Sequence, residues 1–170
     1  MDAPFDFAAA IAGHAATRPT ATAVIAGDQS ISWRDFSARA GKLAGTLAEH
    51  GVKPGDSVAA IAASSIPYAL LWAAVLHCRA CMAPMAPSST PEQIAAMVAD
   101  SGAALVFVDA VNRAAFGAVL AGRTLIDLDA LDGWIDPTAP VPPLAPLDPA
   151  APFNIIYSSG TTGTPKGIVQ

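Results

Sequence analysis

Apolar and polar positions follow two different periods along the chain, and each period predicts one kind of element. Apolar side chains that recur every three or four residues indicate an amphipathic helix, whereas a short continuous run indicates a buried strand. The segment 33–50 shows the helical period behind Ser32, which is placed to cap the helix. The segment 57–63 is a continuous apolar run, typical of a parallel sheet covered on both faces.

Applied to the whole chain, these patterns predict alternating helices and strands. Helices are predicted over residues 5–16, 33–50, 66–79, 90–100 and 111–121. Strands are predicted over residues 21–26, 29–33, 57–63, 82–85, 104–108, 124–128 and 153–157. Several strand–helix–strand units in series predict an α/β fold, with a parallel-rich sheet and flanking helices in a doubly wound or related topology.

The chain changes character between residues 136 and 152, where seven of its fifteen prolines lie. Proline fixes φ and removes a backbone donor, so this proline-rich connector is expected to be extended and stiff and not a packed element. It divides the chain into a predicted N-terminal α/β subdomain, residues 1–135, and a strand–loop–strand segment, residues 153–170. The latter would begin an incomplete second subdomain.

Composition and charge exclude several classes of protein. Hydrophobic residues make up 53% of the chain and charged residues 14%, which excludes intrinsic disorder. The net charge of −5 argues against a nucleic-acid partner, because phosphate backbones require clustered Lys and Arg. Residues 57–76 are uncharged, but Ser64-Ser65-Ile66-Pro67 in their middle favours a strand, a turn and a helix over a membrane span. The acidic N-terminus is unlike a signal peptide, so a cytoplasmic location is expected.

The two cysteines, Cys78 and Cys81, form a Cys-x-x-Cys pair, which can be a redox centre or half of a zinc site. The pair is predicted near the C-terminal end of a helix, where the dipole disfavours a thiolate. Zinc needs four ligands, and His77 is the one further candidate nearby in the sequence. Buried, reduced, structural cysteines are therefore expected.

The segment 158–167, Ser-Ser-Gly-Thr-Thr-Gly-Thr-Pro-Lys-Gly, has the composition of a phosphate-binding loop, and we call it the Ser/Gly/Thr loop. Its glycines let successive backbone N–H groups point into one concavity. Its hydroxyl groups add donors that can also coordinate a cation. Lys166 adds a positive charge that can reach a β- or γ-phosphate. Apolar strand residues stand on both sides, at 153–157 and 168–169.

Other interpretations of this loop fit its sequence less well. A P-loop requires Gly-x-x-x-x-Gly-Lys-Ser/Thr, whereas Lys166 lies between Pro165 and Gly167. A flexible linker shares the composition, but it has no reason to be framed by two strands and to end in Pro-Lys-Gly. Polyphosphate binding is the interpretation that the residues favour.

The run from Tyr157 to Gly167 resembles the signature loop of the acyl-adenylate-forming superfamily. That family comprises AMP-forming acyl-CoA synthetases, nonribosomal-peptide adenylation domains and luciferases. Two earlier segments are similar to family elements, namely ISWRDF at 31–36 and GVKPGDSVA at 51–59. A third, from 74 to 84, departs from the family at Arg79, where glycine is usual.

The resemblance implies an enzyme that uses ATP and Mg²⁺ to activate a carboxylic acid as an acyl-adenylate, releases pyrophosphate and passes the acyl group to a thiol. An acyl-CoA synthetase with CoA as acceptor is expected over an amino-acid adenylation domain, because 85–91 looks more like the free-standing ligases. By position, Thr161 would approach Mg²⁺. The implied nucleotide-binding residues are Ser158, Ser159, Gly160, Thr161, Thr162, Gly163, Thr164 and Lys166.

Relatives in this family continue beyond the position of residue 170 into the adenine and acyl pockets and a small domain with a catalytic lysine. The 170 residues are therefore expected to be the N-terminal part of the enzyme, with no catalytic residue of their own and no adenylation activity alone. An exposed strand edge would favour association with a second copy. A non-catalytic nucleotide-binding module and a scaffold fragment remain as alternatives.

Overall fold

The computed structural model describes residues 5–158 and 165–170. These residues form two units, each assembled from segments that are not contiguous in the sequence. The first unit comprises the described residues up to Pro54, Ser64–Arg79 and Ile135–Ala151. The second comprises Gly55–Ala63, Ala80–Trp134 and the described residues from Pro152 onward. This interleaving was not predicted from the sequence.

In its described residues, the first unit contains three helices and a two-stranded antiparallel sheet. The elements are α1 (Phe7–Thr17), β1 (Thr22–Ala26), β2 (Gln29–Ser32), α2 (Trp33–Glu49) and α3 (Ile66–His77). Each helix begins where a side-chain oxygen accepts a backbone N–H bond, and the three capping residues are Asp6, Ser32 and Ser65. Helix α2 packs against α3 and fully buries Leu43 and Leu47.

The second unit is built on a parallel sheet whose strand order is β4-β3-β5-β6. Its elements are β3 (Ser57–Ile61), β4 (Cys81–Pro84), α4 (Pro91–Ser101), β5 (Leu105–Val108), α5 (Ala110–Phe116), β6 (Thr124–Asp127) and α6 (Leu131–Trp134). The register places Val58 between Met82 and Leu105. The chain moves from β3 outward to β4 and then across to β5 and β6, which is the order of a doubly wound sheet.

Helices α4 and α5 cover one face of this sheet. Alternate residues of the strands, such as Val106 and Val108 in β5, point into a core that also contains Ile94 and Val98 of α4 and Phe116 of α5. Helix α4 begins with the predicted capping box between Thr90 and Gln93. Since an amphipathic helix over a strand face is the standard way to bury both, the apolar pattern of 90–108 accounts for this layer.

The second unit also contains an antiparallel hairpin, β7 (Ile155–Ser158) and β8 (Lys166–Val169). At the base of the hairpin, Asn154 forms a parallel bridge with Met82 of β4. The Met82 N–H donates to the Phe153 carbonyl at 3.0 Å. Every residue of β8 is exposed, whereas β7 alternates between half-buried and exposed residues.

The predicted α/β fold with a parallel-rich sheet and flanking helices is confirmed. Residues 57–76 divide into a strand and a helix, as expected from the break in their middle. Helix α5 ends at Phe116, with Gly117 as its C-cap, and is shorter than predicted; the four-residue α6 was not predicted. Among the described residues, every helix is too short or too polar to cross a bilayer.

The proline-rich connector contains no helix or strand in the structure, but it is packed, so the prediction that it is not a packed element is wrong. Its carbonyl groups accept hydrogen bonds from side chains of the first unit. Lys42 Nζ donates to the Ala139 carbonyl at 3.0 Å. His77 Nε2 donates to the Pro142 carbonyl at 2.8 Å. A segment with few N–H groups of its own is held by donors from its neighbours.

The backbone of the proline-rich connector also lies directly against α2. A Cβ atom at Gly45 would be 2.6 Å from the Pro140 carbonyl oxygen, so glycine permits the approach. Thr46 Oγ1 accepts a hydrogen bond from the Asp136 N–H at 3.0 Å. Ala139 between these contacts is completely buried. The connector is therefore part of the packing of the first unit.

Arg79, the residue that departs from the family pattern, has a φ of 56° and is the one non-glycine residue with positive φ in the described chain. This left-handed conformation costs an L-residue about 1–2 kcal/mol. The guanidinium group binds Asp6 through Nη1–Oδ1 at 3.0 Å and Nη2–Oδ2 at 2.7 Å. It also donates from Nε and Nη2 to the Ala145 carbonyl, at 3.0 and 2.7 Å. The glycine-type turn is kept, and the arginine side chain bridges α1 and the proline-rich connector.

The two cysteines are free thiols at the end of α3 and the start of β4. Burial raises the pKa of Cys78 to about 11 and also raises the pKa of Cys81. The Cys78 thiol donates to the Ala44 carbonyl at 3.4 Å. Both thiols are therefore protonated at neutral pH, which supports a structural role.

Candidate functional site

The hairpin brings the two ends of the Ser/Gly/Thr loop together. Ser158 at the end of β7 is the Cα partner of Lys166 at the start of β8, and both residues are exposed. Lys166 is thus the first residue of a strand and not part of the turn itself. A hydroxyl and an ammonium group at the mouth of a loop are suited to hold an anionic polyphosphate.

Of the eight predicted nucleotide-binding residues, the structure describes Ser158 and Lys166. The other six lie outside the described residues, and so does the predicted magnesium contact at Thr161. These six are Ser159, Gly160, Thr161, Thr162, Gly163 and Thr164. Their roles stay a prediction.

Strand alternation decides which side of β7 faces the core. Ile155 and Tyr157 pack against the apolar core of the second unit, whereas Ile156 and Ser158 point outward and are exposed. Because successive strand residues face opposite sides, the burial of Tyr157 places Ser158 on the exposed side. The strand thus presents the first residue of the loop to solvent.

Gly167 is the cross-strand partner of Tyr157 and lies beneath its ring. A Cβ atom at Gly167 would be 3.0 Å from Ile155 Cγ2, 3.1 Å from Tyr157 Cε1 and 3.3 Å from Asp100 Oδ2. The space that a side chain would occupy is already filled by these groups. Glycine at this position therefore allows the Tyr157 ring to lie across both strands of the hairpin.

The hydroxyl group of Tyr157 donates a hydrogen bond to Asp100 Oδ2 at 2.8 Å. Asp100 lies in the last turn of α4. Burial raises the pKa of Tyr157, and the hydrogen bond and the charge of Asp100 raise this pKa further. The phenol is therefore protonated throughout the physiological range and remains a donor.

Sequence reasoning did not identify the contact between Tyr157 and Asp100. One signal was present, because a tyrosine on the core-facing side of a strand needs a partner for its hydroxyl group. The identity of that partner could not be read, since the two residues are 57 positions apart. In the described residues, no group of three or more His, Cys, Asp or Glu side chains could hold a metal ion.

Comparison with protein families gives a match that covers most of the chain. The family is described as AMP-binding enzyme, and its model matches residues 11–170. The match includes the hairpin and the Ser/Gly/Thr loop as well as both units of the fold.

Among curated proteins, the chain is similar to peptide synthetases. Isonitrile lipopeptide synthase of Mycobacterium tuberculosis is 35% identical over 158 residues, which cover 93% of this chain and 6% of that protein. Tyrocidine synthase 3 of Brevibacillus parabrevis is 33% identical over 89% of this chain and 2% of its own length. The chain thus spans a small fraction of the curated relatives it matches.

Among solved structures, the fold is similar to a fatty acyl CoA synthetase and to the N-terminal subdomain of NpsA. A fatty acyl CoA synthetase of Mycobacterium tuberculosis matches with a TM-score of 0.86 at 22% identity, over 97% of this chain and 34% of that chain. The N-terminal subdomain of Klebsiella oxytoca NpsA, in complex with 3-hydroxyanthranilyl-AMSN, matches with a TM-score of 0.80 at 21% identity, over 96% and 40%. At these identities the likeness shows the fold.

Proposed function

Because the chain belongs to the AMP-binding enzyme family, we propose that it provides the phosphate-binding loop of an enzyme that activates a carboxylic acid with ATP as an acyl-adenylate. The observation that carries this proposal is the register of the hairpin, which makes Ser158 and Lys166 neighbours at the mouth of the loop. The exposed ammonium group of Lys166 fits the charge of the β- and γ-phosphates.

In this proposal the loop acts by orientation and by charge. The acid's carboxylate attacks the α-phosphate, and pyrophosphate leaves with increasing negative charge on its oxygens. Lys166 and the backbone N–H groups of the loop hold those oxygens and stabilise the charge as it develops. Mg²⁺, held with the help of Thr161, would supply further charge neutralisation when bound. The other proposed donors are Ser158, Ser159, Gly160, Thr162, Gly163 and Thr164.

The identity of the thiol that accepts the acyl group is a more specific part of the proposal. CoA is the acceptor expected from the resemblance of 85–91 to free-standing ligases. A carrier-protein thiol in peptide synthesis is the second candidate, and the 35% and 33% identities to peptide synthetases favour it. The two are separated by incubating the full-length gene product with ATP, acid and either CoA or a phosphopantetheine-bearing carrier, and by detecting the thioester by mass spectrometry.

Two further expectations remain part of the proposal. We propose a subdomain boundary of the full-length protein at the proline-rich connector, with residues 1–135 and 153–170 on either side, although within this chain residues 80–134 and the described residues from 152 onward belong to one unit. We also propose that the protein acts in the cytoplasm, which agrees with its free thiols.

The proposal is tested with Lys166→Ala in the full-length gene product. We expect the affinity for MgATP, measured by calorimetry, to fall about tenfold or more, since a charge-assisted hydrogen bond is worth about 1.5–3 kcal/mol. Lys53→Ala is the matched control, because it removes the same charge from the exposed turn after α2. Equal affinities in the two variants would contradict the phosphate-binding role.

Adenylate formation is then measured as acid-dependent exchange of pyrophosphate into ATP, with a panel of carboxylic and amino acids. Pyrophosphate exchange that is lost in Lys166→Ala would support the proposed adenylate-forming activity. ATP binding without exchange for any acid would favour the non-catalytic nucleotide-binding module instead.

A further inference from the structure

Tyr157 contacts three parts of the second unit at once. Its backbone belongs to β7, directly before Ser158 of the proposed site. Its ring lies over Gly167 of β8, directly after Lys166. Its hydroxyl group donates to Asp100 of α4 at 2.8 Å. One side chain thus joins both strands that enter and leave the loop to a helix of the core.

Helix α4 is a firm point of attachment for this contact. A capping box fixes its first turn, and Ile94, Met97 and Val98 are buried in the core under the sheet. The hairpin is less buried, because every residue of β8 is exposed and Ile155 and Tyr157 of β7 are half-buried. The bridge between Asn154 and Met82 holds the base of the hairpin, at the end away from the loop. The hydrogen bonds of the Tyr157 hydroxyl group with Asp100 and with the neighbouring Ser101 side chain are polar contacts between the hairpin and α4, one residue before the loop.

The charge of Asp100 shows how this residue would act. A carboxylate is repelled by phosphate, so Asp100 is unsuited to bind the nucleotide directly. Asp100 instead accepts a hydrogen bond from the Tyr157 hydroxyl group, and its Oδ2 lies 3.3 Å from the position that a Cβ atom of Gly167 would take. The carboxylate therefore acts on the position of the hairpin and not on the ligand.

We propose that Asp100 is a positioning residue for nucleotide binding, and that its bond to the Tyr157 hydroxyl group holds Ser158 and Lys166 where they contact the phosphates. This inference rests on the proposed function, because it assumes that the loop binds a polyphosphate. It goes beyond that function by assigning a role to a residue on a helix far from the loop in sequence.

The test removes the bond from each side in the full-length gene product. Tyr157→Phe removes the hydroxyl group and keeps the ring over Gly167, and Asp100→Ala removes the acceptor. Each variant should weaken MgATP binding about threefold to tenfold, the range of one net hydrogen bond. The double variant should bind no more weakly than Tyr157→Phe, because loss of the hydroxyl group already removes its bond to Asp100. Asp100→Asn keeps an acceptor oxygen and should recover most of the affinity.

Tyr68→Phe is the matched control, since Tyr68 is the other tyrosine of the chain. Like Tyr157, Tyr68 is half-buried, but it lies on a helix. Its hydroxyl group forms a hydrogen bond with the Trp72 side chain. Both variants remove a half-buried, hydrogen-bonded tyrosine hydroxyl group, so both should lower the free energy of unfolding. Only Tyr157→Phe should change the affinity for MgATP. A loss of affinity in both variants would mean a general effect of stability and would overturn the proposal.

Amide hydrogen exchange without nucleotide separates this inference from the proposed function. Tyr157→Phe and Asp100→Ala should each speed exchange at residues 155–158 and 166–169, and Tyr68→Phe should not. If Lys166→Ala weakens ATP binding and Tyr157→Phe does not, the positioning role is wrong and the phosphate-binding loop stands. If Lys166→Ala has no effect, the proposed function fails and the positioning role fails with it. Unchanged exchange in the hairpin of Tyr157→Phe would overturn the positioning role by itself.

Discussion

The proline-rich connector and the β7–β8 hairpin are both extended segments outside the parallel sheet, and they are held in opposite ways. The connector has few N–H groups, so side chains such as Lys42 and His77 donate to its carbonyls. The hairpin satisfies its own backbone through an antiparallel ladder and needs few outside contacts. A segment held from outside is fixed along its length, whereas a self-paired segment is fixed at a few points. We therefore expect changes around the connector to affect stability, and changes around the hairpin to affect binding.

The largest expected effect comes from filling the space beneath each segment with a methyl group. Gly45→Ala places a Cβ 2.6 Å from the Pro140 backbone oxygen, which cannot move without shifting the connector. We expect a loss of about 1–3 kcal/mol in the free energy of unfolding, measured by urea titration. Gly167→Ala meets mainly side-chain atoms at 3.0 Å or more, which can adjust, so its cost should be smaller.

Gly13→Ala is the control for both, because no atom lies within 4 Å of its added Cβ and it is also on a helix. There alanine should stabilise the protein by about 0.5–1 kcal/mol. A Gly45→Ala variant that is as stable as Gly13→Ala would show that the connector is not packed on α2 as described.

A smaller effect is expected at Arg79, which binds the connector through Ala145. Arg79→Ala loses the hydrogen bonds and keeps the left-handed backbone, whereas Arg79→Gly loses the bonds and relieves about 1–2 kcal/mol of strain. The glycine variant should therefore unfold at higher urea concentration than the alanine variant. Both variants should bind MgATP like the unaltered protein. A change in that affinity would contradict the expectation that changes around the connector affect stability and not binding.

The smallest expected effect is on the stability of the fold at acid pH. Hydrogen bonds from Arg79 lower the pKa of Asp6 below its usual value of 3.8. A lowered pKa in the folded state stabilises the protein above the unfolded-state pKa, and this stabilisation is lost as pH falls through the folded-state pKa. Below pH 4 the unaltered protein should therefore lose more stability than Arg79→Ala does. Parallel acid titrations followed by circular dichroism measure the difference, and identical curves would show that the ion pair has no such effect.

The features predicted correctly are those in which neighbouring residues decide the structure. Ser32 caps α2 and Thr90 caps α4 because the hydroxyl and the N–H that it binds are three residues apart. The strand before the Ser/Gly/Thr loop was likewise visible as an apolar run. Such local rules also account for the α/β pattern and for the hairpin on which the candidate site stands.

The features that were missed depend on contacts between distant residues. Lys42 and the Ala139 carbonyl are 97 positions apart, and Tyr157 and Asp100 are 57 apart. Composition indicated that the proline-rich connector was extended, but no sequence pattern shows which donors it will meet. For the same reason, the loop could be identified from its own residues while the helix that supports it could not.

The interleaving of the two units has a consequence for recombination. Any single crossover point between Gly55 and Ala151 separates parts of both units, because each takes residues from both sides of that point. A chimera that exchanged only one half of this chain would therefore bring native and foreign residues together within each of the two units. Exchange of the whole stretch, from α1 to the hairpin, keeps all the segments of each unit from the same protein.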